Sequence, residues 1–466
     1  MSTQGLAAMK QLLINGKMAV LGVLLWGIMA TGTTPDRGVA SRIDAYLEPY
    51  VQTGNFSGVA LVEKNGKVVF EKAYGFRDRE HRVRNKIDTR FHVASLSMQF
   101  TAAAILRLVD QGAIGLDSRA GEDLHGISGA EKITVRDLLT ERSGLPDINE
   151  RPDYSEILQE HQTPSSLVEK IEGHALLFTP GSQFLHEEHS AYNLLALLLE
   201  KATKQSFAVA MQRVLSGPAG LKSSGVDDDS LGNMPTLAIG YQPEGLSGLK
   251  AASAIHWSAK SGNGSAYTTV SDEAKFIRAL FEGHLLNAAS KQAIMENSPR
   301  VGYGWFRGPS ARFSQTAYYS NGRAPGFASF ALYLPREQLT VVVFSNVYSS
   351  ATTTIGYDLG AIALDLPYAS FQPSRSPADP AQLKSCTGKF QFGSDFYQPN
   401  AKIALVAQGP ELSLRWPSGD ISPLIPLDKD HFVDRSYWED VLIDRDRSGQ
   451  PLRLHYGRFA GTVTRD

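Results

Sequence analysis

Ser95 and Met98 stand three residues apart, just before a run rich in helix-forming residues, 101–109. In a Ser-x-x-Lys tetrapeptide at the start of a helix, one turn brings the lysine amine beside the serine hydroxyl. The amine takes the hydroxyl proton while the serine attacks a carbonyl. Here Met98 occupies the lysine position, and its thioether accepts no proton at neutral pH. The spacing predicts a serine nucleophile without its usual base, or a serine that only caps the helix.

Four ionisable residues in succession, from His186 to His189, are a second chemical feature. A histidine with a pKa of about 6.5 could deprotonate Ser95, oriented by a neighbouring glutamate. His186 and His189 would lie one turn apart in a helix and could bind a metal with the two glutamates. A solvated charged loop without a task is the third explanation. We predict that His186 or Glu187 is the base, and we expect no resident metal and no cofactor.

Five further groups of segments follow one another in an order that indicates a known family. Together with the Ser95 segment they resemble the serine β-lactamase and penicillin-binding-protein-like family, in its class C β-lactamase, esterase and D,D-peptidase group. Glu141 stands where that family usually has a histidine. The segments are residues 56–62, 66–70 with 73–76, 134–146, 303–305, and 325–327 followed by 339–346.

The resemblance implies an α+β fold. We expect a β-lactamase/transpeptidase-like antiparallel sheet flanked by helices, an all-helical lobe, and a site between them. The apolar pattern agrees, because strand signals at 59–62, 68–70, 329–334 and 339–345 enclose a helical middle. Strands from the two ends of a domain can pair into one sheet, with helices packed on it.

The family's second motif, Tyr-x-Asn, is altered in this chain. Counted from Pro180, His186 replaces the tyrosine and Glu188 the asparagine. Counted back from Tyr192, Glu187 and His189 take those places. Either register removes the tyrosine and leaves an imidazole or a carboxylate near the place where a base is needed.

The third motif, normally Lys-Thr-Gly or His-x-Gly, is replaced by Ser320-Asn321-Gly322. The resemblance implies that this strand faces Ser95, and that Gly322 lets it lie close to a ligand. Arg323 brings a positive charge from a different position, and the N–H groups of Ser95 and Arg323 would form the oxyanion hole. We expect a substrate to contact Ser320, Gly322, Met98 and Tyr303.

The chain divides into four predicted regions. Residues 1–32 indicate a signal peptide, because Lys10 and Lys17 precede the uncharged run 18–30, which is short for a membrane span. Residues 39–367 are the family-like hydrolase domain. A proline-rich linker, 368–380, leads to residues 381–466, whose short alternating strands predict a small lipocalin-like β-barrel. In a bacterium the protein would be periplasmic or secreted.

Composition excludes several partners. Lys plus Arg total 46 and Asp plus Glu 48, without a basic stripe, so we expect no nucleic acid. The lone Cys386 excludes an intrachain disulfide framework and a cysteine-based zinc motif. We expect a small-molecule or peptide substrate and no stable membrane span after signal cleavage. The sequence does not indicate an oligomeric state.

Two functions remain open from the sequence. One is an exported serine hydrolase or acyl transferase acting on an ester or amide, with Ser95 as nucleophile and a non-standard base. The other is a catalytically inactive relative that binds a peptide, a cell-wall fragment or a protein. Loss of a general base costs about 10²–10⁴-fold in rate, so neither function is that of an efficient β-lactamase.

Overall fold

The computed structural model describes residues 38–122, 124–185, 188–232, 234–296, 301–374 and 379–464. The predicted signal peptide therefore lies outside the described residues. So do His186 and Glu187. The α-helices are Val39–Gln52, Ser97–Asp110, Val135–Leu139, Tyr154–Ile157, Pro164–Glu169, His189–Thr203, Phe207–Met211, Gly217–Ala219, Val270–Phe281, Ala288–Met295, Ala351–Ala363 and Pro380–Ser385. Shorter helical turns are Ala94–Leu96, Ala130–Lys132, Ile148–Glu150, Gln212–Ser216 and Trp257–Lys260.

A seven-stranded sheet forms the centre of the first domain, and its neighbouring strands are antiparallel. The strand Gly58–Lys64, near the start of the domain, pairs with Leu339–Ser345, near its end, in the register Gly58↔Ser345. The prediction that both ends contribute to one sheet is confirmed. In spatial order the strands are Val301–Gly302, Trp305–Ser310, Gln315–Ala324, Phe327–Leu334, Leu339–Ser345, Gly58–Lys64 and Lys67–Tyr74.

Alternating side chains divide the core between the two faces of this sheet. Val59 and Leu61 join one buried cluster, which includes the helices between the two halves of the sheet. Ala60 and Val62 join the other cluster, which is covered by Val39–Gln52 and Ala351–Ala363. Among the described residues, three smaller sheets lie outside the seven-stranded sheet. Two of them are two-stranded, Phe76–Asp78 with Val83–Arg84 and Tyr241–Glu244 with Gly248–Ala251. The third is three-stranded, with Ala266–Thr268 between Phe91–His92 and Gly225–Val226.

The C-terminal strands close into an eight-stranded barrel with its own apolar core. The predicted α+β class and the C-terminal barrel are both confirmed. Cys386 is buried beside the barrel as a free thiol. The barrel strands are Gly388–Gln391, Lys402–Gln408, Glu411–Arg415, Ile421–Pro426, His431–Asp434, Asp440–Arg445, Pro451–Tyr456 and Phe459–Val463.

Arg435 joins the barrel to the first domain. Its guanidinium is completely buried and donates to Asn55 Oδ1 at 2.9 Å, and to the backbone carbonyls of Gly245 at 2.6 Å and Gly248 at 2.8 Å. Longer bonds reach the carbonyls of Thr53, Gly54 and Glu244. Burial lowers the pKa of Arg435 to about 10, which still leaves it charged at neutral pH. One side chain thus satisfies several otherwise buried acceptors across the interface.

Gln99, which follows Met98 on the helix Ser97–Asp110, forms a buried polar pair with Glu273 of the helix Val270–Phe281. Gln99 Nε2 donates to Glu273 Oε1 at 2.6 Å. Within the described residues, the remaining oxygens, Gln99 Oε1 and Glu273 Oε2, are buried without a hydrogen-bond partner. Burial raises the pKa of Glu273 to about 8, opposed by the Gln99 bond. A protonated Glu273 can donate to Gln99 Oε1, which completes a reciprocal pair of hydrogen bonds.

We expect Glu273→Gln to flatten the pH dependence of stability. The folded-state pKa lies above the ordinary value of 4.5, so the folded protein retains a proton that the unfolded chain releases. The contribution of Glu273 to the free energy of unfolding therefore falls as pH rises from about 4.5 to about 8, by at most about 1.4 kcal/mol per pH unit. Urea unfolding at several pH values checks it, and an identical pH slope in the variant and the wild type would contradict it.

Candidate functional site

Ser95 lies in the turn Ala94–Leu96, between the strand Phe91–His92 and the helix that begins at Ser97. Its side chain is partly exposed, whereas its neighbours are buried. Ala94 has a φ of +51°, in the left-handed region that costs a non-glycine residue about 1–2 kcal/mol. Such strain persists only where the surroundings impose it, and it is concentrated at functional sites.

Ser95 lines a narrow cavity between its own turn and the sheet strands Trp305–Ser310 and Gln315–Ala324. Its volume is about 20 Å³, which holds about one water molecule. The side chain of Met98 is almost fully buried and fills one wall. The lining residues are Ser95, Met98, Glu141, Val301, Gly304, Trp305, Phe306, Ser320 and Asn321.

The structure brings some of the predicted substrate contacts together and places another elsewhere. Ser320 lines the cavity with Ser95 and Met98. Tyr303 is not among the lining residues. Its amide donates to the Leu139 carbonyl at 2.6 Å, and its phenol is hydrogen-bonded to Arg136. Tyr303 therefore supports the wall of the cavity from behind.

Gly322 allows the strand Gln315–Ala324 to touch the Ser95 turn. A Cβ at this position would lie 2.2 Å from Val93 O and 2.7 Å from Leu96 N, backbone atoms on either side of Ser95. Because neither backbone atom can rotate away, glycine is required for this close approach. The sequence predicted a close approach to a ligand, and the structure shows one to the segment that carries the nucleophile.

The side chain of Arg323 is directed to the barrel. Its guanidinium donates to Ser350 Oγ at 2.6 Å and to the Ser436 carbonyl at 3.0 Å, and it lies over the rings of Tyr348 and Tyr437. The positive charge predicted for the site is therefore used at the domain interface. The proposed contribution of its backbone N–H to an oxyanion hole stays a prediction.

The described half of the charged run, Glu188 and His189, is buried. Glu188 accepts from the amide and hydroxyl of Ser143, at 3.1 and 2.9 Å, and from the amide of Gly144 at 3.0 Å. Burial raises the pKa of Glu188 to about 8 in spite of these bonds. His189 Nδ1 lies 3.1 Å from Asp147 Oδ2. For these two residues a solvated loop is excluded, and both hold the turn 143–147 in place.

Glu141 is the site residue that sequence analysis did not select. It is 3% exposed, has a φ of +56°, and lines the cavity with Ser95. The pKa of the Tyr192 phenol is raised far above its usual value, mainly by burial and next by the charge of Glu141. The Gly304 amide lowers this pKa but does not offset the other two effects. The available signal was that Glu141 replaces the family's histidine in residues 134–146. A carboxylate thus shares the cavity with a serine whose lysine partner is missing.

Comparisons with known proteins identify the family and the fold. A family model described as Beta-lactamase matches residues 43–363. The putative penicillin-binding protein PbpX of Bacillus subtilis (strain 168) is 27% identical over 307 residues, which are 66% of this chain and 74% of that protein. A penicillin-binding protein from Bacillus halodurans has a similar structure, with a TM-score of 0.59 and 26% identity over 69% of this chain and 98% of its own.

A further similar structure extends beyond the residues of the family model. It is the octameric penicillin-binding protein homologue from Pyrococcus abyssi, with a TM-score of 0.61 over 90% of this chain and 99% of its own. At 20% identity this likeness shows a shared fold alone. In the part of the chain that the structure describes, none of the helices is long and apolar enough to cross a membrane.

Proposed function

The chain belongs to the β-lactamase family, and on this premise we propose that it is a serine hydrolase or acyl transferase acting on an ester or amide. Ser95 is the nucleophile, and a carboxylate replaces the lysine as base. The observation that carries the proposal is the placement of Ser95 and Glu141 on one cavity. The positive φ of Ala94 and of Glu141 supports it, because backbone strain is concentrated at functional sites.

The proposed reaction begins when Ser95 Oγ attacks the substrate carbonyl. Glu141 takes the hydroxyl proton, directly or through the one water that the cavity can hold. The backbone N–H groups of Ser95 and Arg323 stabilise the oxyanion. The protonated carboxyl returns its proton to the leaving alcohol or amine, which leaves an acyl-enzyme. Water then hydrolyses this ester, or a second nucleophile accepts the acyl group.

Efficient β-lactamase activity is not part of the proposal, because Met98 supplies no proton acceptor beside Ser95. His186 and Glu187, predicted from the sequence as the base, remain candidates beside Glu141. Variants of all three residues separate these assignments.

The volume of the cavity favours a second candidate function. About 20 Å³ admits no acyl substrate unless the walls move apart. A catalytically inactive relative that binds a peptide, a cell-wall fragment or a protein on this surface is therefore the alternative. The binding function predicts that a ligand binds without turnover, whereas the hydrolase function predicts both binding and turnover.

Hydrolysis of p-nitrophenyl esters distinguishes the two functions. We expect the wild type to exceed the uncatalysed rate and Ser95→Ala to fall to it. Ser165→Ala is the matched control, because Ser165 is an exposed serine whose hydroxyl donates to Glu169. Equal rates for Ser95→Ala and the wild type would contradict the hydrolase and leave the binding function.

We also propose export, to the periplasm or out of the cell. Its support is the pattern of Lys10 and Lys17 before the uncharged run 18–30, which is typical of a signal peptide. Cell fractionation with N-terminal sequencing tests it. Mature protein beginning near residue 33 is expected, and protein that retains residues 1–32 in the cytoplasm would contradict it.

A further inference from the structure

Two histidines and one aspartate converge at the surface of the first domain. His161 lies between the helices Tyr154–Ile157 and Pro164–Glu169, Asp229 follows the strand Gly225–Val226, and His256 precedes the turn Trp257–Lys260. The Nδ1 atoms of His161 and His256 lie 2.9 and 3.1 Å from the same oxygen, Asp229 Oδ2. One ligand atom from each residue lies within 4.8 Å of the others.

Hydrogen bonds to groups outside the cluster also hold these loops in place. The His256 amide donates to the Leu158 carbonyl at 2.9 Å, which ties the loop of His256 to that of His161. The Asp229 amide donates to Asp227 Oδ1 at 2.9 Å. The ligand atoms therefore converge before anything binds, which lowers the entropic cost of forming a site.

The donor set suits a transition-metal ion. Zinc–ligand bonds of about 2.0–2.1 Å in a tetrahedral site separate neighbouring ligand atoms by about 3.3 Å. The two separations from Asp229 Oδ2 are 2.9 and 3.1 Å, slightly shorter than this value, and all three ligand atoms lie within 4.8 Å of one another. The imidazoles of His161 and His256 are 58% and 45% exposed, which leaves them room to adjust around an ion. Imidazole favours zinc and its neighbours over magnesium or calcium, which prefer oxygen ligands.

Other exposed His–Asp pairs in the described residues bring one imidazole to one carboxylate. They are His81 with Asp78, His431 with Asp440, and His455 with Asp444. A single hydrogen bond accounts for such a pair. At His161, Asp229 and His256 two imidazoles instead converge on one carboxylate oxygen, which brings three side chains that can bind a metal to one place. Three protein ligands with one open position are common in zinc sites.

We propose that His161, Asp229 and His256 bind a divalent transition-metal ion, with zinc as the best match. The site is separate from Ser95 and does not depend on the proposed hydrolase function. The ion joins loops on both sides of His92, because Trp257 stacks on the His92 ring at 3.8 Å and Asp227 bonds its Nε2 at 2.9 Å. It acts as a structural clamp next to the segment that carries the nucleophile.

Calorimetric titration with zinc chloride tests the proposal on the full chain without a histidine tag, after dialysis against a chelator. One equivalent is expected to bind. Loss of an outer-shell partner alone costs about 10–100-fold in metal affinity, so His161→Ala and His256→Ala should each raise Kd by about 100-fold or more. His455→Ala is the matched control, since it removes an imidazole that pairs with one aspartate at 2.8 Å. It should leave Kd unchanged.

Cobalt absorption provides a second measurement that needs no variant. Cobalt(II) bound to the wild type should give the intense visible bands of a four- or five-coordinate site, and excess zinc should abolish them. Circular dichroism establishes that the variants are folded. Stoichiometric zinc binding that persists in the His161→Ala, His256→Ala double variant would overturn the proposal. So would a wild type that binds no equivalent of zinc or cobalt.

Discussion

Replacing Glu141 by glutamine is expected to lower kcat/KM for p-nitrophenyl ester hydrolysis by about 10²–10⁴-fold. The amide keeps the size of the carboxylate but accepts no proton, so the Ser95 hydroxyl loses its base. The local fold should persist, because the Glu141 amide bonds the Leu138 carbonyl at 3.3 Å and its carbonyl accepts from the Leu185 amide at 3.0 Å. Steady-state kinetics and circular dichroism on the same samples measure both effects.

Glu273→Gln is the matched control for this loss. It makes the same change at a buried carboxylate that is not among the residues lining the cavity. We expect its rate to stay within about twofold of the wild type, as for other well-tolerated changes away from the site. If Glu141→Gln keeps full activity while His186→Ala or Glu187→Ala loses it, the role of base belongs to the charged run.

Arg435→Ala should lower the free energy of unfolding by about 3–4 kcal/mol. The substitution leaves the carbonyls of Gly245 and Gly248 and the Asn55 amide oxygen buried without their donor, and it opens a cavity between the barrel and these loops of the first domain. Because the contact joins the two domains, the barrel should also become easier to release. Urea unfolding and limited proteolysis near the linker 368–380 measure these two effects.

Arg415→Ala is the control for Arg435, since Arg415 lies exposed on a barrel strand. We expect a change within about 0.5 kcal/mol, as for other surface substitutions. A similar small change for Arg435→Ala would show that the barrel is held by its apolar contacts, such as Phe371 against Trp438.

The family resemblance, together with local sequence patterns, predicted most of the fold. Apolar runs at 59–62 and 339–345 predicted buried strands. Their positions at the two ends of one domain allowed the pairing that the structure shows. The barrel was predicted from short strands divided by turn signals. Contacts between the domains could not be predicted in this way. The sequence around Arg323 does not indicate that it will bond to Tyr348. The sequence around Arg435 does not indicate that it will bond to Asn55 and to the Gly248 carbonyl.

The candidate site was predicted in part. The spacing of Ser95 and Met98 and the strand motif at Ser320 placed three residues that share the cavity. Glu188 and His189 belong to a charged run, and such a run is usually solvated. Their burial depends on Ser143 and Asp147, more than forty positions away. Glu141 was visible only as a departure from a family motif, because its nearness to Ser95 is a property of the folded chain.

Intact mass after incubation with a fluorophosphonate tests most directly whether Ser95 is an activated nucleophile. We predict one covalent adduct on the wild type, located on Ser95 by peptide mapping, and none on Ser95→Ala. Labelling should slow markedly in Glu141→Gln, because attack by the hydroxyl requires a base. A wild type that stays unlabelled under conditions in which a known serine hydrolase reacts completely would contradict the account.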